Sequence, residues 1–375
     1  MQDVIIVGGG LGGLVSSIIL SKSGLNVTVI EKKSYPLHKV CGEYVSNEVR
    51  PFLTSLGLDL NELGVKNIEY FRFTSPSGRV LNTQLDLGGF GISRYKLDEA
   101  LFQLSEKLGV QFILGKSVEN VVFNEGVFEV QTSDNQNYIS KNVIGAYGKR
   151  AKLDSTFDRP FLKKKSPYIG VKYHIKTDFP QNLIALHNFQ DGYCGISAIE
   201  EDKYCLCYLS ARSNLKEYGS IPEMEKRVLM QNPHLKYIFE NSEFLYDKPL
   251  IINEISFAKK SPIENHIFMV GDTAGLITPL CGNGMAMSIH AAKICSELII
   301  KQLKGEYSRG KSEAEYIINW NNAFERRLWI GRMVQKLFGD KWLSELAAIG
   351  FRMSKPALNL IIKSTHGEVI TLSTD

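Results

Sequence analysis

The feature that most restricts what this chain can become is the run Gly8-Gly9-Gly10-Leu11-Gly12-Gly13. It lies between an apolar, β-rich stretch (residues 3–7) and a stretch of helical periodicity (residues 11–23). The spacing is G-x-G-x-x-G: Gly8 permits a tight turn, Gly10 lets a pyrophosphate approach the main chain, and Gly13 lets the helix pack closely on the strand. A second β-rich run at 26–30 ends on Glu31, about twenty residues past the turn, which completes a β-α-β dinucleotide-binding unit. The helix start offers free N–H groups and partial positive charge to a diphosphate. Glu31, an acid rather than a base, suits the hydroxyls of an unphosphorylated ribose, with Lys32 beside it among the candidate cofactor contacts. Glycine turns also serve plain packing; the flanking strand, helix and acid favour the nucleotide.

Composition narrows the rest. With 375 residues, 44% hydrophobic and 22% charged, the chain can bury a sizeable core and is expected to form two interleaved or successive globular domains. A net charge of +4 is too small and too dispersed to argue for nucleic acid. Cys41, Cys194, Cys205, Cys207, Cys281 and Cys295 form no C-x-x-C knuckle, and His174, His187 and His290 show no ligand spacing, so no metal is expected. The start lacks a basic leader, and no apolar run reaches the roughly 18 residues of a membrane span. These features predict a cytoplasmic protein, monomeric or homodimeric, that is neither secreted nor integral.

Along the chain, residues 67–74 and 78–85 read as a hairpin around Ser75-Pro76-Ser77-Gly78, then a helix at 96–108 and a strand at 110–114. Three strands follow at 120–123, 126–132 and 138–144. Alternation between 168 and 211 predicts a larger antiparallel sheet in a separate domain. After Pro262 the first pattern returns: a strand at 266–270, a glycine-rich loop at 271–284 and a helix at 285–301. The expected division is a discontinuous nucleotide domain (1–66, 91–160, 256–305), an inserted substrate domain (67–90, 161–255) and a helical C-terminal region (306–375). The run Gly305 to Ser312 fits the P-loop pattern but follows a helix instead of a strand, so ATP binding is not expected.

A second constellation, Gly271-Asp272-Thr273-Ala274-Gly275, leads through Pro279 to Gly282-Asn283-Gly284. With it the chain resembles the FAD-dependent monooxygenases of the p-hydroxybenzoate-hydroxylase type and the geranylgeranyl-reductase-like enzymes. The resemblance implies an α/β fold: a three-layer Rossmann-type FAD-binding domain, an inserted antiparallel-sheet substrate domain and a helical tail. It implies FAD as cofactor, with Asp272 on the ribitol and the backbone of Gly282, Asn283 and Gly284 cradling the isoalloxazine. Pro36-Leu37-His38-Lys39-Val40-Cys41-Gly42 looks like the P-x-x-K-x-C-G segment of the reductase branch. In those enzymes it runs beside the flavin, which implies contacts from Lys39 and Gly42 and a cavity-facing Cys41. That thiol either positions substrate or donates a proton, or it is inert packing. Arg94, in Ser93-Arg94-Tyr95-Lys96-Leu97-Asp98, resembles the arginine that reaches the flavin phosphates or ribityl chain; a solvated residue before a helix is the plainer reading. Val118 falls where the family contacts adenine, or simply packs in the core.

The departures bear on the reaction. Gly145-Ala146-Tyr147-Gly148 puts Tyr147 where the monooxygenase branch has the aspartate of its D-G motif, which bears on how NAD(P)H is used. The reductase stretch Y-x-W-x-F-P and the halogenase stretch W-x-W-x-I-P are replaced by Tyr193-Cys194-Gly195-Ile196-Ser197. The expected function is an FAD-dependent oxidoreductase, foremost a monooxygenase using NAD(P)H and oxygen on a small apolar or aromatic substrate. Reduction of carbon–carbon double bonds is the alternative, and a non-catalytic flavin or lipid carrier is the third. In the tail, Trp320, Phe324, Trp329 and Phe338 near Arg326, Arg327 and Arg332 form either ordinary packing, closing the substrate pocket, or a peripheral membrane-surface face.

Overall fold

The structure is a computed structural model that describes residues 1–371 apart from 164–165, 254, 277–281, 338–342, 347–348 and 351–354. Two sheets organise it. In the first, strands β1 (Gln2–Val7), β2 (Val27–Glu31), β6 (Gln111–Leu114), β9 (Asn137–Gly145) and β17 (Ile267–Met269) run parallel in the order β17-β9-β1-β2-β6, with β16 (Ile263–Glu264) antiparallel at one edge. Residues 4–7 of β1 and all of β2 are buried, as expected of parallel strands covered on both faces, and this is why they read as unbroken apolar runs. Helices α1 (Leu11–Lys22), α3 (Arg94–Lys107) and α8 (Gly284–Leu303) pack together against this sheet. The antiparallel meander of β7 (Val118–Asn124) and β8 (Val127–Thr132) runs on into β9 and supplies the third layer.

The second sheet has the order β14-β10-β13-β12-β11-β4-β5-β3, with β15 also on β10. Its strands are β3 (Tyr44–Ser46), β4 (Lys66–Thr74), β5 (Val80–Gly91), β10 (Tyr168–Lys176), β11 (Leu183–Phe189), β12 (Gly192–Ala198), β13 (Tyr204–Ala211), β14 (Glu243–Phe244) and β15 (Leu250–Asn253). The expected antiparallel sheet forms with one exception: β11 lies parallel to β4, pairing Leu183 with Tyr70. Strand β3 joins from within the segment read as nucleotide domain, so the loop after β2 crosses from one sheet to the other.

Side chains of β10 alternate in role. Ile169, Val171, Tyr173 and Ile175 point to the back, where they pack on Met224, Leu229, Leu235 and Ile238. These come from helices α6 (Ile221–Arg227) and α7 (Pro233–Asn241) and the turn between them, while Leu215 and Tyr218 of helix α5 (Arg212–Tyr218) pack at the margin. The period-2 geometry therefore turns Lys172 and His174 to the opposite, front face. Two short helices, α2 (Arg50–Ser55) and α4 (Lys152–Thr156), join elements of the first layer. The tail is helical as expected, with α9 (Arg309–Leu337) and α10 (Lys355–Thr365). Among the described residues no helix is long and apolar enough to cross a membrane.

Candidate dinucleotide and substrate site

The early glycine turn is built for close approach. Gly8 has φ +104°, and a Cβ there would lie 2.5 Å from the carbonyl oxygen of Ala146 at the end of β9. Gly13 packs against the carbonyl of Gly8. Gly10 caps α1 with no side-chain hydrogen bond, so the first-turn N–H groups face outward for an anion. Leu11 is buried in the core, which leaves only its main chain for that task.

Two cations face this helix start. A Cβ on Gly10 would stand 3.7 Å from the Lys39 Nζ and 3.8 Å from an Arg94 terminal nitrogen. Both are held by Asp98, which is fully buried: Arg94 donates Nε and a terminal N–H to its two oxygens at 2.7 Å each, and Lys39 donates at 2.9 Å. Burial raises the Asp98 pKa, but the charges of Arg94 and Lys39 outweigh it and hold the carboxyl below its ordinary value. Arg94 is likewise opposed by its own burial and raised on balance by Asp98. Asp98 thus organises a two-cation clamp at the start of α1, of a kind suited to a diphosphate.

Glu31, nearly buried, accepts the N–H of Gly9 at 2.7 Å and that of Lys33 at 3.1 Å. Each oxygen keeps lone-pair capacity for a ribose hydroxyl. Lys32 is exposed beyond it. Val118 opens β7 with its side chain in the core, so only its main chain is left for an adenine contact.

The late loop comes to the same place. Ser288 of α8 lies between the two glycine segments, because a Cβ on Gly12 would come 2.9 Å from its hydroxyl and a Cβ on Gly271 2.6 Å. The charge of Asp272 is felt at Arg94. The Asp272 main chain is fixed from behind: Lys260 donates to its carbonyl at 2.8 Å, while the buried Arg159 donates to Thr273 O at 3.0 Å and is paired with Asp154. Tyr147 lies directly under the Gly8 turn, its hydroxyl directed at Asp154 and the Met269 sulfur. Gly282 meets the ring of Tyr44, Asn283 is fully buried and Gly284 starts α8; Pro279 lies outside the described residues. Among the described residues, the side-chain oxygen of Asn283 and the hydroxyl of Tyr44 are buried without a partner. Other buried polar atoms lack partners too, but these two lie at the late glycine turn, where a bound molecule can supply the missing bonds. An open helix start, two poised cations, a ribose-ready carboxylate and two orphaned polar atoms all fit FAD.

Several residues that the fold brings to this site carry no signal in the sequence. Asp98 closes the Ser93-to-Asp98 segment, where the sequence shows only an acid on a helix. Glu43, Lys172 and Tyr44 belong to no motif, and His174 has no ligand spacing along the chain. The tail, which offered no specific signal, is tied to the site: Asn283 Nδ2 donates to Thr365 O, and Glu48 accepts from Arg327 at 3.1 Å and from the Gly367 N–H. Trp320 and Phe324 are buried, as ordinary packing requires, whereas Trp329 is 58% exposed; Phe338 lies outside the described residues. The segment from Gly305 to Ser312 joins α8 to α9 and follows no strand.

Cys41 is half-buried and Gly42 exposed, with open space where a Gly42 Cβ would stand. Opposite them, the front of the second sheet carries an apolar wall of Phe71, Phe73, Tyr168, Leu186, Tyr193 and Leu209. Leu276 of the late loop and Ile330 and Val334 of α9 close it.

Residues 1–165 match the FAD binding domain family. Over 80% of its length the chain is 22% identical to conditioned medium factor receptor 1 of Dictyostelium discoideum, of which it spans 64%. It is 25% identical to the digeranylgeranylglycerophospholipid reductase of Thermoplasma volcanium, covering 85% of this chain and 86% of that protein. Among solved structures, the flavin-dependent brominase Bmp2 shares the fold with a TM-score of 0.78 at 16% identity, over 97% of this chain and 93% of that one.

Proposed function

We propose that this chain, an FAD-dependent oxidoreductase, is a monooxygenase that uses NAD(P)H and oxygen to hydroxylate a small apolar or aromatic molecule. The observation that carries this reading is the wall described above. Phe71, Phe73, Tyr168, Tyr193 and Phe257 gather beside the late loop, and a wall rich in aromatic rings favours a flat ring that packs offset or edge-on. When bound, FAD supplies the electron transfer and the reaction with oxygen. The protein's own residues bind and orient. Arg94 and Lys39, set by Asp98, would hold the diphosphate, Glu31 would hold the ribose, and Ile330 and Val334 of α9 cover the apolar wall. We place the protein in a reducing, cytoplasmic setting, a reading supported by the free thiols of Cys41, Cys194, Cys205, Cys207 and Cys295.

A second reading, reduction of a carbon–carbon double bond, is favoured by the Lys39-Val40-Cys41-Gly42 segment, which lies against the clamp, and by the similarity to digeranylgeranylglycerophospholipid reductases. The deciding experiment is a visible spectrum of the purified protein followed by anaerobic titration with NADH and NADPH, then oxygen uptake with candidate substrates. Substrate-coupled oxygen uptake supports the monooxygenase. Saturation of a double bond without oxygen uptake replaces it with the reductase, and a flavin that no physiological donor reduces points to a carrier.

A further inference from the structure

Beneath Cys41 and Gly42 lies a group of charges that the clamp does not use. Glu43 is fully buried and adopts φ +55°, a conformation uncommon outside glycine and often retained at functional sites. One of its oxygens accepts from Lys172 Nζ at 2.5 Å and from the Arg94 main-chain N–H at 2.7 Å; the other lies 2.6 Å from His174 Nε2. Lys172 also donates to the carbonyl of Lys39 at 3.1 Å, and the Cys205 thiol to that of Cys41 at 3.2 Å. The cluster is therefore bonded directly to the main chain of the segment that carries Cys41.

It is also joined to solvent. His174 Nδ1 lies 2.9 Å from the Tyr246 hydroxyl, which lies 3.1 Å from His38 Nδ1. His38 is exposed and stacks on Tyr95 with ring centroids 4.5 Å apart. A hydroxyl between two imidazole nitrogens can donate to either while accepting from the other. With His174 neutral, its Nε2–H points to Glu43, so its Nδ1 accepts from Tyr246, whose oxygen accepts from a protonated His38. With His174 protonated on both nitrogens, both Tyr246 bonds run the other way.

We propose that His38, Tyr246, His174 and Glu43 form a proton path between solvent and the layer beneath Cys41 and Gly42. The proposal rests on the reading that this segment borders the flavin. Its step is balanced: His38 imidazolium gives its Nδ1 proton to the Tyr246 oxygen as the Tyr246 hydroxyl proton passes to His174 Nδ1, and neutral His38 recovers a proton from water. No electron moves, and the new imidazolium lies against the Glu43 carboxylate. Reversal exports a proton.

Tyr95 covers one face of His38, the charge of Lys203 reaches His38, and that of Glu200 reaches Tyr246. Lys172 faces it from β10, Cys205 from β13 and the Arg94 N–H from α3. Burial, followed by the charges of His174 and Lys172, holds His38 below its ordinary pKa, while burial keeps the Cys205 thiol protonated. Ligand atoms of Glu43, His174 and Cys205 lie within 4.8 Å of one another, as a metal would need. The Lys172 ammonium bonded to Glu43 opposes a dication there.

The test uses the full-length, FAD-loaded protein labelled with nitrogen-15 at histidine. Tyr246→Phe removes the hydroxyl that bridges the two rings, and His38→Gln removes the exposed end outside the core, which covers the case that the first variant fails to fold. The expected result is at least tenfold slower exchange of the His174 ring N–H with solvent in each variant. Flavin content and melting temperature stay unchanged. Wild-type exchange in both variants overturns the path, as does binding of one equivalent of zinc through His174. Slowed exchange in a protein that never consumes oxygen would instead sink the monooxygenase reading and leave the path standing.

Discussion

Replacing Glu43 with glutamine tests the electrostatic core of this molecule. The carboxyl is held at a pKa of about 2 against an ordinary 4.5: burial pushes it up, and Lys172 and His174 more than reverse that. A carboxylate with a depressed folded pKa contributes stability that is complete above its unfolded pKa and is lost as pH falls through the folded one. The gap corresponds to roughly 3 kcal/mol at pH 7, shrinking to roughly 2 kcal/mol at pH 3.5. Glu43→Gln preserves shape but leaves the buried Lys172 ammonium without a counter-charge, a change that costs about 3–5 kcal/mol in buried pairs. The assay is urea unfolding of both proteins at pH 7 and pH 3.5, followed by far-UV circular dichroism. The variant should be less stable by at least about 3 kcal/mol at neutral pH, and the difference should narrow in acid. Glu43→Gln combined with Lys172→Met should recover part of the loss, because a neutral pair replaces a broken one. A neutral-pH difference below about 1 kcal/mol, or one that does not narrow in acid, would refute the reasoning.

Four further outcomes are expected. Gly8→Ala forces a Cβ onto the Ala146 carbonyl at a positive φ and should cost about 1–3 kcal/mol, with flavin lost on gel filtration. Arg94→Met removes one arm of the clamp and should weaken FAD binding roughly 10- to 100-fold, read by fluorescence titration of the apoprotein, since charge-assisted bonds are worth about 1.5–3 kcal/mol. Lys260, lowered to about 8 by burial, carries fewer protons folded than unfolded between pH 8 and the ordinary 10.5. Stability contributed by this group should therefore rise with pH across that window, and Lys260→Met should flatten the rise in melting experiments. Glu48→Ala unties the tail from Arg327 and Gly367; limited trypsin digestion should then cut the region after Arg327 faster, and an unchanged digestion pattern would count against the staple.

What the amino-acid order determined by itself is local. The Gly8 turn, its strand and helix, Glu31 and the Gly271-Asp272 loop are each contiguous, so the steric freedom of glycine and the period of the flanking apolar residues reveal them without a partner. The pairing of the two nucleotide-binding segments followed from their motifs and is realised where Ser288 meets both. Only the tertiary structure decided the rest. Glu43, Lys172, His174, Cys205 and Tyr246 are ordinary residues in five unremarkable contexts. Their roles arise because the chain carries the loop after β2 over the front of a sheet whose strands lie some 130 residues further on. The same holds for Asp98, an acid on a helix until Arg94 and Lys39 close on it, and for the tail pinned at Asn283 and Glu48. Charge–charge energy depends on separation in space and on exclusion of water, and neither is written in the spacing of residues along a chain.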